Sequence, residues 1–230
     1  MKIPRSILIT AKLLEATSSK LALKFASKLF TTPLKHKIPK REIQMDADSK
    51  QETLRMGALE KEIVVYHYGS AEKKILLVHG WSGRGTQLAK IADKMLQIGY
   101  STISFDAPAH GKSKGKKSNM AEFIACILQL EKVYGPFEFA IGHSLGGMSI
   151  LNALKRGLSV KKAVIIGSGD KVEDILDDFT KKIGMSIAIS KRMKASFEKQ
   201  IGETMHSFSA YMAAREVAVP VLVIHDINDD

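Results

Sequence analysis

Residues 142–147 read GHSLGG, with the strand-like run FEFAI before them and the helix-like run MSILNALKRG after them. The pentapeptide Gly142-His143-Ser144-Leu145-Gly146 fits the pattern G-x-S-x-G. Small flanking residues allow a tight turn in which the serine backbone is strained and its hydroxyl is lifted above a sheet edge. A helix starting near Leu145 directs its first amides at the same spot, where they can hold a developing oxyanion. The chemistry implied is nucleophilic attack by Ser144, which needs a base to take the hydroxyl proton.

A second element, HGWSGRG at 79–85, directly follows the strand-like run KILLV. Glycines at a strand end let the backbone turn and expose amides, so this loop is a source of a second oxyanion donor. A phosphate cradle is the other use of such a loop. Neither G-x-x-x-x-G-K-[ST] nor G-x-G-x-x-G occurs in the chain, and nucleotide binding is rejected on that ground.

With DAPAHGKS at 106–113 and VLVIHDINDD at the end, these motifs resemble the α/β-hydrolase superfamily over roughly residues 60–230. The resemblance implies that Ser144 is the nucleophile and that the backbone N–H groups of Leu145 and Trp81 form the oxyanion hole. It implies that Asp229 is the acid of the triad, flanked by Asp226 and Asp230. His110, in the Asp-x-x-x-His-Gly-x-Ser turn, takes a structural part in that family. The chain order of the superfamily is Ser, then Asp or Glu, then His, and nothing follows Asp230. The expectation is therefore an incomplete triad, with the last strand and helix of the family pattern missing. Of the seven histidines, His79 and His143 lie inside motifs where the family gives them no base role, His36 and His67 precede the reactive edge, and His225 ends a strand. Only His206 is free to approach Ser144 from above. Loss of the base costs a serine hydrolase about six orders of magnitude in turnover, near 8 kcal/mol. The 230-residue chain is accordingly expected to be inactive or very weak.

The elements that must position these residues alternate. Short β-branched runs (EIVVYHY, KILLVHG, STISFDAP, FEFAIGHS, KKAVIIGS, VPVLVIHD) are separated by helical patterns such as TQLAKIADKMLQIG and NMAEFIACILQLEKVYG. Strands apolar on both faces and separated by helices imply a mainly parallel, doubly wound α/β sheet. About residues 170–216 interrupt the rhythm, since a plain crossover needs only about a dozen residues. They read as a helical cap over the carboxyl ends of the strands, where open α/β sheets bind ligands. The cap holds Met185, Met193, Met205 and Met212, which suit either an adaptable acyl pocket or ordinary helix packing.

The net charge is +11, and residues 1–41 hold eight lysines and two arginines against the single acid Glu15, a balance of +9. The basicity thus belongs to an N-terminal arm and not to a nucleic-acid-binding face of the main domain, residues 42–230. In KLLEATSSKLALKFASKLF, Leu21, Phe25 and Leu29 recur at fourfold spacing beside Lys20, Lys24 and Lys28, as on an amphipathic helix. Such a helix either lies on an anionic membrane or packs its apolar stripe on the domain. No apolar run approaches the ~18 residues of a membrane span, and Lys12 interrupts what would be a secretory leader. The single cysteine, Cys126, cannot form an internal disulfide and sits in an apolar helical pattern, consistent with a buried residue in a reducing, cytoplasmic compartment. No H-E-x-x-H, paired cysteines or dinucleotide fingerprint is found, so no metal or organic cofactor is implied. The reading is a serine hydrolase of a small-molecule ester or thioester. The alternative is a non-catalytic protein of the same fold that binds a membrane or partner.

Overall fold

The computed structural model describes residues 3–228. Seven strands form one sheet: β1 Lys50–Met56, β2 Lys61–Tyr68, β3 Lys74–Val78, β4 Ser101–Asp106, β5 Phe139–His143, β6 Lys162–Ile166 and β7 Val221–Ile224, in the order β1-β2-β4-β3-β5-β6-β7. The pairs β1·β2 and β2·β4 are antiparallel and the other four are parallel. Central strands are covered on both faces, which is why β3 and β4 are apolar or small with little regard to alternation. The two faces can still be told apart along β3. Leu76 and Val78 enter one core with Phe105, Phe123, Ile127 and Leu130, whereas Ile75 and Leu77 enter another with Ala89, Ala92 and Ile141.

Helices α4 (Ala89–Gln97), α5 (Met120–Tyr134) and α6 (Leu145–Lys155) cover these faces. Asn119 caps α5 by accepting a hydrogen bond from the Glu122 amide (3.0 Å). The short helix α3 (Ile43–Asp48) contributes the buried Met45. Strand β1, KQETLRM, is absent from the runs picked out in the sequence because it is an edge strand with charged residues exposed. Its pairing with β2 places Glu52 within 2.7 Å of both His67 Nε2 and the Tyr134 hydroxyl.

After β3 the chain turns to β4 on one side and then returns to β5 on the other. The carboxyl ends of β3 and β5 therefore bound the crevice at which a doubly wound sheet binds its ligand. The loop at 79–85 and Ser144 both begin there.

Residues 170–216 hold α7 (Val172–Lys182), α8 (Ile187–Ile201), a 3-10 turn at Met205–Phe208 and α9 (Ala210–Ala214). They do not pack by themselves. Helices α1 (Arg5–Thr17) and α2 (Ser19–Thr31) share a core with them, built from Ala11, Ala22, Ala26, Leu176, Ile183, Met185, Ile189, Met193 and Met205. Phe30 of α2 sits edge-on to Phe179 (5.0 Å) and against Phe197 (5.9 Å). Glu15 turns inward to the amide and hydroxyl of Ser186. Three of the four cap methionines are thus spent on helix packing.

The buried stripe of α2 is rotated from the one its fourfold spacing suggests. Ala22 and Ala26 are fully buried and Leu21 faces out, because small residues let α2 approach its neighbours closely. Beyond α2, residues 32–38 run across the loops at the carboxyl ends of the strands. The Leu34 amide donates to Ser82 Oγ (3.0 Å), Lys35 Nζ to the Ser113 carbonyl (3.0 Å) and Arg84 to the His36 carbonyl (2.6 Å).

This packing predicts that Phe30→Ala destabilises the protein by about 2–3 kcal/mol, less than the roughly 3–5 kcal/mol of a fully buried ring because Phe30 is half-buried. Leu21→Ala should stay within about 0.5 kcal/mol of wild type. Urea denaturation of the two variants checks both values.

Candidate active site

Ser144 lies between the last residue of β5 and the first of α6, with φ 52° and ψ −120°. That is a conformation glycine populates and serine rarely does. The local hydrogen bonds hold it there. The Ser144 amide donates to the Ile166 carbonyl of the adjacent strand (2.9 Å), and its own carbonyl accepts from Gly147 N (2.9 Å), Met148 N (3.3 Å) and Ser168 Oγ (3.0 Å). The first amides of α6, those of Leu145 and Gly146, have no carbonyl one turn back to bond. They are left pointing out of the helix N-terminus beside Ser144.

The glycines around the serine are required by space. A Cβ at Gly142 would lie 2.6 Å from the backbone of Gly146, and one at Gly146 would lie 2.3 Å from the Val78 carbonyl oxygen and 2.7 Å from that of His79. The first turn of α6 is thus pressed against the end of β3. A Cβ on Gly80 would in turn meet Ser144 Cβ at 3.2 Å. Gly80 therefore stands beside the serine, and Trp81 follows it directly.

The loop carrying Trp81 is fixed from several directions. The Ala107 amide donates to His79 Nε2 (3.0 Å), so Nδ1 carries the proton and donates to the Gly80 carbonyl (2.7 Å). Gln87 Oε1 accepts from Gly80 N (2.7 Å), and Gly83 N returns to the Gly80 carbonyl (3.0 Å). The Trp81 ring stands edge-on to His110 (5.0 Å), and His110 in turn contacts Phe123 (5.2 Å). Burial holds both imidazoles neutral, lowering His79 to about 4 and His110 to about 3. His110 donates from Nδ1 to the Pro108 carbonyl (3.0 Å), the loop-holding part that the sequence suggests for it.

Asp106, which opens DAPAHGKS, is a fixed point that sequence reasoning overlooked. Its buried carboxylate accepts from Gly85 N (2.6 Å), Lys112 N (2.6 Å) and the Tyr66 hydroxyl (2.9 Å), tying the 79–85 loop to the 106–113 loop. Burial raises its pKa despite these bonds. Its position at a strand end before a glycine-rich turn was the available signal.

Of the residues singled out from the sequence, Ser144 and Leu145 lie at the switch point, and Trp81 follows Gly80, which stands beside the serine. Asp229 and Asp230 lie outside the described residues. Asp226 accepts from the Asn228 amide (2.9 Å) in the turn after β7. His206, the free histidine of the cap, is turned to the Tyr211 hydroxyl (3.2 Å from Nε2). His79 and His110 spend their Nδ1 protons on the Gly80 and Pro108 carbonyls.

The profile of the alpha/beta hydrolase fold matches residues 73–221, and the chain belongs to that family. The sheet order, the strained serine between β5 and α6 and the glycines packed around it are the structural form of this membership. An esterase from Pyrococcus furiosus is similar in structure, with a TM-score of 0.60, 17% identity, and 84% of this chain and 75% of that one covered. An esterase from Exiguobacterium antarcticum has a TM-score of 0.54 and 15% identity, covering 76% of this chain and 80% of its own. A bromoperoxidase from Bacillus anthracis has a TM-score of 0.53 and 16% identity, with 76% and 81% covered. At these identities the likeness is one of fold. No curated protein sequence matches the chain.

Two outcomes follow from this geometry. Gly146→Ala should lose about 1–3 kcal/mol or more, because backbone oxygens, not movable side chains, meet the new methyl. Gly57→Ala, with open space around it, should stay within about 0.5 kcal/mol. For His79 the folded pKa is below its unfolded value, so the unfolded chain takes up a proton that the native state refuses. Stability should be full above pH 6.5 and fall toward pH 4, by up to about 1.4 kcal/mol per pH unit for each such histidine. His79→Gln should make the fall in urea midpoint between pH 6.5 and 4.5 shallower by about one proton.

Proposed function

We propose that this chain is built for ester hydrolysis through an acyl-enzyme on Ser144. The observation that carries the reading is the strained Ser144 backbone, φ 52° and ψ −120°, at the switch point of the sheet. Strain of this kind costs on the order of 1–3 kcal/mol and persists where it serves a site. The fold family and its esterase-like neighbours support a hydrolase.

In this reading Ser144 Oγ attacks the carbonyl carbon of a small-molecule ester or thioester. The carbonyl oxygen takes up the negative charge and is met by the N–H groups of Leu145 and Trp81. The α6 N-terminus adds its partial positive charge. Collapse of the tetrahedral species breaks the bond to the leaving alcohol or thiol, which departs with a proton and leaves the acyl group on Ser144. Water then repeats the attack and releases the acid. The neutral rings of His79 and His110 and the Asp106 carboxylate act as positioning residues, keeping the Trp81 amide in place. Asp229 is the acid assigned to orient the base.

Three histidines near the site are bonded elsewhere, His79 to the Gly80 carbonyl, His110 to the Pro108 carbonyl and His206 to the Tyr211 hydroxyl, and none of these three is assigned as the base. Without a base in reach, nucleophile and oxyanion donors retain only the part of the rate enhancement that comes from binding and the oxyanion hole. The expected turnover on a short p-nitrophenyl ester is therefore low, and Ser144→Ala should remove what there is. Equal rates for wild type and Ser144→Ala, both folded, would instead favour a non-catalytic protein that keeps the fold for ligand binding. Ser144→Gly provides a separate check on the strain. It should abolish any Ser144-dependent hydrolysis while raising stability by about 1 kcal/mol, since glycine adopts this backbone without a Cβ clash.

A further inference from the structure

Helices α1 and α2 expose large apolar side chains together with cations. Ile9 is 67% exposed and Leu13 62%, one helical turn apart on α1, and Leu21 on α2 is 51% exposed. On the same two helices Arg5, Lys12, Lys20, Lys24 and Lys28 are all exposed. Among the described residues no ion pair engages any of these five cations. The only acid of residues 1–41, Glu15, is turned away to Ser186. The two helices keep this face outward because their inner sides are committed to the core shared with α7 and α8.

We propose that this face docks the protein on the surface of an anionic lipid bilayer. Ile9, Leu13 and Leu21 would enter the boundary between headgroups and acyl chains, and the five cations would meet lipid phosphates. Charge complementarity selects this occupant. A second copy of the chain would oppose cations with cations, with no acid on the face to relieve the repulsion. A nucleic acid would satisfy the cations and leave three large aliphatic side chains in water. A bilayer satisfies both sets at once. Because the pair is packed on the cap helices, docking would bring the cap side of the molecule to the lipid. This inference is independent of the ester-hydrolase reading, and its readout is binding, not turnover.

The test is flotation of the full 230-residue chain with vesicles of phosphatidylcholine alone and of phosphatidylcholine mixed with phosphatidylglycerol. The expected result is at least about tenfold stronger binding to the anionic vesicles, lost as salt is raised. Ile9→Ser with Leu13→Ser, which leaves the charge unchanged, should weaken binding at least about tenfold by removing the inserted side chains. Lys20→Gln with Lys24→Gln and Lys28→Gln should remove the preference for anionic lipid. All five positions are exposed, so melting temperatures within a few degrees of wild type serve as the folding control. Equal binding to both vesicle types, absence of binding, or binding unaltered in both variants would overturn the proposal. So would a dimer on size exclusion that the Ile9→Ser, Leu13→Ser variant dissolves, since a second copy would then own the face.

Discussion

The close approach of α6 to the end of β3 is the constraint on which the site depends. Gly146 sits where a single methyl group would fall 2.3 Å from the Val78 carbonyl oxygen. Only because that space is empty can the helix begin directly at the switch point. The chain leaving β5 must then reverse within one residue, and Ser144 is that residue. Its positive φ follows from the packing of the helix against the strand, while the bonds of its amide to Ile166 and its carbonyl to Gly147 keep the turn from relaxing. A position that must be strained presents its side chain outward from the sheet, and the amides of the helix start, which have no intrahelical partner, come with it.

Around this turn the polar groups that hold the neighbouring loops are buried and uncharged or fully bonded. His79 bridges Ala107 and Gly80 in a single tautomer, and protonation would put a second donor where the Ala107 amide already points. Asp106 keeps its carboxylate in the core by accepting three hydrogen bonds from two loops and a tyrosine. An unpaired carboxylate at that depth would be costly, so the loops are effectively held by the need to satisfy it. Residues 32–38 are tied to the same region by exposed hydrogen bonds, from the Leu34 amide to Ser82 and from Arg84 to the His36 carbonyl, and both partners belong to the loop that carries Trp81.

What could be read from the sequence was what is local. Six of the seven strands declare themselves as short β-branched runs, and the G-x-S-x-G turn announces its position because the requirement for glycine is felt within five residues. Strand β1 could not be read this way, since an edge strand carries charges and owes its order to β2 alone. The partners of Asp106 lie 21 and 40 residues away in the chain for Gly85 and Tyr66, beyond the reach of any periodicity. The inward stripe of α2 was legible in kind and not in phase. Leucines at fourfold spacing suggest themselves as the buried set, yet helices that pack closely choose alanine, and Ala22 and Ala26 take the contact.

That choice has a structural consequence for the cap. Of the three helices in residues 170–216, α9 packs on α6, and α7 and α8 complete their core with Ala11, Ala22, Ala26 and Phe30 from the beginning of the chain. The cap is therefore a four-helix unit assembled from segments more than 140 residues apart. Its two N-terminal helices connect, through residues 32–38, to the loop beside Ser144. Any displacement of α2 must either strain that connection or break its hydrogen bonds to Ser82 and Arg84. The basic N-terminal segment is thus joined on one side to α7 and α8 and on the other, through residues 32–38, to the loop beside Ser144.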